Sequence, residues 1–365
     1  MLMMPKIFCS TITCMFFLFT PNQQALSAEI NANSTVEIAY KAEWEKILTS
    51  IDKGDYLTTH KLLTPLAEQD DAHAQHNLGV LYANGHGVKQ DTKLAAYWYL
   101  KAAEQGFAQA QANLGALYDK GEGVKQDFNL AAHWCKLAAE QGHAESQHNL
   151  AVMFAEGRGV TQDYTEALKW YQKAAEQKYL LSQFNMGAMY HIGQGVEKDY
   201  KSAMTWYLKA ANENLAIAQS NIGAMYFKGQ GVEQDYKSAL SWFEKAAQQG
   251  SIDAQANLAL MHAKGIGTAQ NFEVAIKWYR IMAQAGDAEA QYNLATIYGN
   301  GMGISKNLVK AYMWWSLAAT SQDQALVKHS QASRAQAAKM LSEAQLKIAQ
   351  KMALLCKQSN YQQCE

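Results

Sequence analysis

The chain of 365 residues has little proline and no excess of charge of either sign. Residues 66–365 contain no proline at all, which favours uninterrupted helices because proline removes a helical hydrogen bond and clashes with the preceding turn. Lys and Arg number 32, and Asp and Glu number 33. This balance argues against a nucleic-acid-binding protein, which needs a basic face to neutralise phosphates, and against an acidic solvating tail.

The one long apolar run lies at the N-terminus and is too short for a comfortable membrane span. Lys6 precedes an apolar stretch over residues 7–19, and Leu26, Ser27 and Ala28 supply small residues before Glu29. This layout predicts a secretory signal peptide over residues 1–28 that is cut near Ala28. The alternative is an uncleaved membrane anchor. A bilayer span needs about 20 apolar residues, which is more than this run supplies and counts against the anchor. We therefore expect a periplasmic or secreted protein with no stable membrane span after cleavage.

A 36-residue pattern fills most of the chain. It recurs over seven segments: 72–107, 108–143, 144–179, 180–215, 216–251, 252–287 and 288–323. Asn recurs at 77, 113, 149, 185, 221, 257 and 293, Trp recurs at 98, 134, 170, 206, 242, 278 and 314, and a Gly-x-Gly pair recurs at the same spacing. Periods of this length are typical of stacked supersecondary units that cannot bury their apolar faces alone.

Each repeat reads as two helices joined by a glycine-rich loop. In the first copy, apolar or small residues lie at helical spacing up to Ala83, and Gly85 is a candidate left-handed C-cap. Asp91, which recurs as Asp or Asn, is a candidate N-cap for the second helix. The apolar stripe of that helix consists of Ala95, Trp98, Tyr99, Ala102 and Ala103. We expect the Trp column to be a large part of the core.

Two amides, Gln75 and Asn77, recur in every first helix. Buried polar groups need partners, so these amides are expected to tie one unit to the backbone of its neighbour. The alternative is a polar ladder that receives the backbone of a bound peptide.

The ends of the chain depart from the period. Residues 29–71 resemble a degenerate N-terminal capping hairpin, and residues 324–365 predict capping helices, the last of which opens with a capping box at Ser342 and Gln345. The fold class is therefore all-α: a right-handed α-solenoid of stacked αα-hairpins with a 36-residue period.

Cysteines are few, and two of the five lie in the predicted signal. Of the others, Cys356 and Cys364 form a possible disulfide, since export implies an oxidising compartment. Cys135 occupies a column of aromatic residues and is expected to be a buried structural thiol.

The repeat resembles that of the Sel-one-like repeat family, a relative of the tetratricopeptide repeats. The resemblance covers about residues 37–323 and is carried by the Gln-x-Asn pair, the Gly-x-Gly-Val loop, the Asp cap and the Trp-to-Ala-Ala helix. The sixth copy departs from it at His262, Thr268 and Met282. The resemblance implies an interaction solenoid whose first helices line a concave groove.

Motifs for catalysis or cofactors are lacking. No His-Glu-x-x-His, Cys-x-x-Cys, Walker loop or nucleophile elbow occurs, so we expect no enzyme activity, no cofactor and no metal. His73 and His76 lie one turn apart but are expected to be surface residues, for want of further ligands. Certain cysteine-rich relatives are linked to penicillin binding, and Ser50 to Lys53 matches Ser-x-x-Lys. The partner motifs Ser-Asp-Asn and Lys-Thr-Gly are missing, which indicates coincidence.

The variable first-helix positions are the candidate partner-binding residues: Leu181, Phe184, His191, Ile217, Phe227 and Tyr292. An apolar cluster among them marks a binding patch if it is exposed, and core between repeats if it is not.

The sequence thus favours a non-catalytic scaffold or adaptor of the cell envelope that binds a protein or peptide on its concave face. The alternatives are a penicillin-interacting or β-lactamase-like envelope protein and a regulator of cell-wall enzymes or host entry.

Overall fold

The structure is a computed structural model that describes residues 35–364, with side chains from residue 39 onward. The predicted signal peptide lies outside this part of the chain. Residues 35–198 and 199–364 belong to two compact units, here called the N-terminal and C-terminal units. Over the described residues the chain forms 18 α-helices and no strand, which confirms the all-α solenoid of helical hairpins.

Nine helices belong to the N-terminal unit: α1 (Thr35–Asp52), α2 (Tyr56–Glu68), α3 (Ala72–Asn84), α4 (Thr92–Glu104), α5 (Ala108–Lys120), α6 (Phe128–Glu140), α7 (Ala144–Glu156), α8 (Tyr164–Glu176) and α9 (Leu180–Ile192). The other nine belong to the C-terminal unit: α10 (Tyr200–Asn212), α11 (Ala216–Lys228), α12 (Tyr236–Gln248), α13 (Ile252–Lys264), α14 (Phe272–Gln284), α15 (Ala288–Asn300), α16 (Leu308–Ala318), α17 (Gln324–Ala338) and α18 (Glu343–Gln358).

The predicted caps form in the structure. Gly85 ends α3 with φ at 69°, in the left-handed region, where glycine is unstrained. One carboxylate oxygen of Asp91 accepts hydrogen bonds from the backbone amides of Lys93 (2.9 Å) and Leu94 (3.1 Å) at the start of α4. Asn271 and Asn307 cap α14 and α16 in the same way. The Asp-to-Asn substitution along this column therefore preserves capping.

The second glycine of each loop allows one hairpin to approach the next closely. A Cβ on Gly87 would collide with the backbone of Tyr56, the first residue of α2. A Cβ on Gly267 would stand 2.6 Å from the Cβ of Tyr236, the first residue of α12. The Gly-x-Gly loop therefore contacts the start of the preceding second helix.

In six of the seven repeats a buried aromatic side chain follows the Trp of the second helix, which corrects the prediction from sequence. This column is buried throughout and contains Tyr99, Cys135, Tyr171, Tyr207, Phe243, Tyr279 and Trp315. In the Trp column only Trp170 and Trp314 are buried, and the others are half-buried. The Trp lies at the edge of the stripe, and in three repeats a lysine three residues on covers its ring. The Lys209 ammonium, for example, lies 3.7 Å from the Trp206 ring centroid.

The recurring Gln ties neighbouring hairpins together, as expected. The side-chain amide of Gln75 donates to the carbonyl of Ala67 at 3.0 Å, and that of Gln111 donates to the carbonyl of Ala103 at 3.1 Å. The same bond recurs in every later repeat through Gln147, Gln183, Gln219, Gln255 and Gln291. In the first repeat a second amide, Gln105, donates to the Gln75 side-chain oxygen at 2.8 Å. A buried hydrogen bond of this kind contributes about 1 kcal/mol.

Helices close both ends of the described chain. At the N-terminal end α1 buries Trp44 and Ile47 with Leu63 of α2, which continues through Pro65 without a break. At the other end Ser342 and Gln345 form the expected capping box of α18, and a disulfide joins Cys356 to Cys364 within the last core cluster. No helix in the described part of the chain is long and apolar enough to cross a membrane.

Substitution of two glycines with positive φ distinguishes the stability cost of backbone strain from that of a steric collision. We expect Gly106→Ala to cost about 1 kcal/mol, because φ is 88° but no atom lies within 4 Å of the added Cβ. Gly87→Ala adds a collision with Tyr56 and is expected to cost about 1–3 kcal/mol more. Thermal unfolding followed by circular dichroism measures both. Equal losses for the two variants would contradict the close contact.

Candidate partner-binding cleft

The candidate residues chosen from sequence lie in different environments. Phe184 on α9 is 0% exposed and belongs to the core, so it is withdrawn from the candidate patch. Leu181 and His191 on the same helix are half-buried. In the C-terminal unit Ile217, Phe227 and Tyr292 are also half-buried. The cluster predicted around Leu181, Phe184, Ile217 and Phe227 is divided between the two units, and each unit is described by itself.

The two histidines of the first repeat are not both on the surface, which corrects the expectation. His76 is buried, and its Nε2 lies 3.1 Å from the side-chain nitrogen of Asn113 on α5. The His73 side chain is about a third exposed. Among the described residues no group of three His, Cys, Asp or Glu side chains is placed to hold a metal ion.

A second buried histidine occupies the same column two repeats later. His148 on α7 is 0% exposed, and its Nδ1 lies 2.9 Å from the hydroxyl of Ser182 on α9. Burial lowers the pKa of His76 to about 3 and that of His148 to about 4. Both rings are therefore neutral inter-repeat packing groups at neutral pH.

The Ser-x-x-Lys match has a structural explanation. The Ser50 side chain is buried, and its hydroxyl hydrogen-bonds the Ile47 carbonyl and the Thr59 hydroxyl, both at 2.7 Å. The bond to Thr59 joins α1 to α2. Cys135 is likewise a packing group: its thiol contacts the Ser146 carbonyl at 3.2 Å, and burial raises its pKa to about 12.

A cleft of about 250 Å³ lies between successive first helices of the C-terminal unit. We call it the first-helix cleft. Its walls are α13 and α15, and α14 supplies its floor through Tyr279 and Met282. The other lining residues are Ala256, Asn257, Leu260, Lys264, Asp287, Glu289, Ala290 and Asn293.

Polar groups of three kinds meet in the first-helix cleft. Two are amides of the recurring Asn column, Asn257 and Asn293, and Asn293 is half-buried rather than buried. Two are carboxylates, Asp287 and Glu289, and one is the exposed ammonium of Lys264. The arrangement offers hydrogen bonds to a peptide backbone and a negative charge to a basic side chain.

The two carboxylates of the cleft differ in their freedom to bind. Asp287 is the N-cap of α15 and accepts from the Ala290 amide at 2.6 Å. Glu289 is exposed in the first turn of α15. Burial and, second, the charge of Glu289 raise the pKa of Tyr279 to about 12, so the phenol stays protonated beside this carboxylate. Glu289 is the carboxylate better placed to meet a ligand.

The sequence pointed to part of this cleft and missed the rest. The polar-ladder alternative named the Asn column, and Tyr292 stands next to Asn293. Leu260, Lys264 and Glu289 were missed, because the residue type at their positions varies between repeats and the three become neighbours only when two repeats stack. The signal that could have found them is the variability of the first-helix positions in the altered sixth repeat and in its neighbour.

Comparison with known proteins gives one consistent result. A sequence model of the Sel1 repeat matches residues 72–107, 108–143, 144–179, 180–215, 216–251, 252–287 and 288–323. The chain is similar to the crystal structure of a Sel1 repeat protein from Oxalobacter formigenes, at 35% identity and a TM-score of 0.59 over 64% of this chain and 93% of that one. It is also similar to a protective antigen present in uropathogenic Escherichia coli strains that displays an SLR fold, at 26% identity and a TM-score of 0.52 over 94% and 96% of the two chains. No curated protein matches.

The two buried histidines make stability depend on pH. Each is neutral in the folded chain but takes up a proton on unfolding below its ordinary pKa of 6.5, so stability falls as pH drops from 6.5 toward 4. Each contributes about 1.4 kcal/mol per pH unit.

We expect the double variant His76→Phe with His148→Phe to lose stability less steeply between pH 6.5 and 4.5 than the parent chain. Phenylalanine already occupies this column as buried Phe184. Urea unfolding at several pH values measures the slope. Parallel curves for parent and variant would refute the assignment.

Proposed function

This chain belongs to the Sel1 repeat family, and from that premise we propose that it is a non-catalytic adaptor that binds a partner protein through its first helices. Sel1 repeat proteins generally mediate protein–protein interaction, and the fold is typically a non-catalytic scaffold. The observation that carries the proposal is the first-helix cleft, where two amides of the repeated Asn column line a cavity together with Glu289. In related helical repeats the first helices line the concave side of the stack.

The polar groups of the cleft define the ligand. Asn293 is half-buried and can accept and donate a hydrogen bond to an extended peptide backbone, whereas Asn257, which also lines the cleft, is only 3% exposed. Glu289 supplies a charge for a lysine or arginine side chain, while Leu260 and Met282 give apolar contact. We therefore propose an extended segment of a partner protein that carries a basic residue.

Two variants test the cleft directly. A random peptide library displayed on phage and selected against the full chain should enrich sequences with Lys or Arg. Glu289→Gln should weaken the enriched peptides about 2- to 5-fold, because it removes an exposed charge pair. Asn293→Ala should weaken them about 3- to 10-fold, because it removes hydrogen bonds to the peptide backbone. Fluorescence anisotropy with labelled peptides measures both.

A matched control lies in the same column. Glu145 is the equivalent of Glu289 in the third repeat, in the first turn of α7. Glu145→Gln should leave binding unchanged, and all variants should melt within a few degrees of the parent. If Glu145→Gln weakens the peptides as much as Glu289→Gln does, binding does not take place in this cleft.

Export to the periplasm or beyond the cell forms the second part of the proposal. Its support is the layout of residues 1–28 in the sequence: Lys6, an apolar run and a small-residue segment ending at Ala28. Expression of the full chain should give a mature protein that begins at Glu29. Intact-mass measurement of the protein from the periplasmic fraction checks this. An unprocessed chain in the membrane pellet would indicate the anchor instead.

A further inference from the structure

The C-terminal unit carries a second, larger pocket on a different side of α14. It has a volume of about 550 Å³ and is formed by α14, by Tyr298 of α15 and by residues 304–310 at the start of α16. Helix α14 gives Tyr279 and Met282 to the first-helix cleft but gives Lys277, Arg280 and Ile281 to this pocket. We call it the cationic pocket.

Three cations line the pocket against one carboxylate. They are Lys277, Arg280 and Lys310, and the carboxylate is that of the exposed Glu273. Neither lysine forms an ion pair with any residue that the structure describes. The two lysines therefore bring positive charge to the pocket that no ion pair of the described residues neutralises, in a chain whose formal net charge is −1.

Aromatic side chains contact all three cations of the pocket. A terminal guanidinium nitrogen of Arg280 donates to the Tyr298 hydroxyl at 3.1 Å. The Lys310 ammonium lies 5.4 Å from the centroid of the same ring. The Lys277 ammonium lies 5.5 Å from the Trp278 ring centroid. Because aromatic rings hold the cations before a ligand arrives, less side-chain freedom is lost on binding.

The repeat pattern does not require these cations. One repeat earlier, the equivalent positions hold Ser241, Glu244 and Val274, and two repeats earlier they hold Thr205, Leu208 and Ser238. The solenoid therefore forms without positive charge at these three positions. Their combination at this one place calls for an explanation outside the fold.

We propose that the cationic pocket binds an acidic segment of a partner protein, at a site separate from the first-helix cleft. The ammonium groups of Lys277 and Lys310 attract a carboxylate, and the Arg280 guanidinium in the same lining adds to the positive charge. Apolar residues point to a peptide rather than a phosphate-rich polymer: Ile281 is 42% exposed and lines the pocket together with Ile304. An apolar side chain beside the carboxylate would cover them.

The probe is a fluorescein-labelled nonapeptide that alternates Glu and Leu, compared with the same peptide in which Gln replaces Glu. Anisotropy with the full chain should give at least 10-fold tighter binding for the Glu peptide. The double variant Lys277→Ala with Lys310→Ala should lose at least 10-fold in affinity for it. The loss should shrink as salt rises, since salt screens exposed charges. Neither lysine side chain takes part in a hydrogen bond that holds the fold, so this variant should melt like the parent.

Controls separate this site from general charge and from the cleft. Lys169 stands three repeats before Lys277 in the same column, and Lys136 stands four repeats before Arg280 in its column. The double variant Lys169→Ala with Lys136→Ala removes the same charge elsewhere and should bind the Glu peptide normally. Glu289→Gln should also bind it normally, because it alters only the first-helix cleft.

Three results would overturn the proposal. Equal affinity for the Glu and Gln peptides would remove the carboxylate requirement. Equal weakening by the two double-lysine variants would show charge attraction without a site. Binding of heparin or of phosphatidylglycerol vesicles through Lys277 and Lys310, with no peptide binding there, would assign the pocket to a polyanion instead.

Discussion

Within each unit, the second glycine of a loop lies directly against the backbone at the start of the preceding second helix, and the stack depends on this contact. Gly87 meets Tyr56 and Gly267 meets Tyr236, at distances where a Cβ does not fit. The contact sets how near one hairpin lies to the next. At that separation the amide of Gln75 reaches the carbonyl of Ala67, and that of Gln255 reaches the carbonyl of Ala247. The glycine, alanine and amide columns therefore recur together because all three depend on the same distance between successive hairpins.

Local signals could be read from the sequence because each acts within a few residues. Gly85 ends α3, Asp91 caps α4 and Ser342 opens α18 through bonds to their own neighbours. The burial of the Trp column was misjudged for the opposite reason. A stripe through Ala95, Ala102 and Ala103 admits both Trp98 and Tyr99, and only the packing of the next hairpin decides which of them is buried. The burial of His76 and Phe184 could not be predicted for the same reason. A first-helix position that varies between repeats can lie in the core or on the surface.

The candidate site could likewise be predicted from the sequence only in part. The Asn column was visible in the sequence, but its exposure was not: Asn77 is buried in the first repeat, while Asn293 is half-buried beside a cleft. His76 contacts Asn113 at hydrogen-bond distance, whereas Ala256, its equivalent in the sixth repeat, has no polar group to offer Asn293. Asn149 is buried although Ala112 occupies the same position before it. The exposure of the Asn column therefore depends on the packing of the whole repeat and not on one variable position.

Net charge gives a poor description of this surface, because opposite charges predominate on two sides of α14. The first-helix cleft has Asp287 and Glu289 against Lys264. The cationic pocket has Lys277, Arg280 and Lys310 against Glu273. The sums of 32 basic and 33 acidic residues average the two sides away. An overall balance of charge says nothing about pockets of a few residues. In a solenoid, different sides of one helix face different neighbours and can therefore carry different charges. A substitution on one side leaves the spacing of the stack intact.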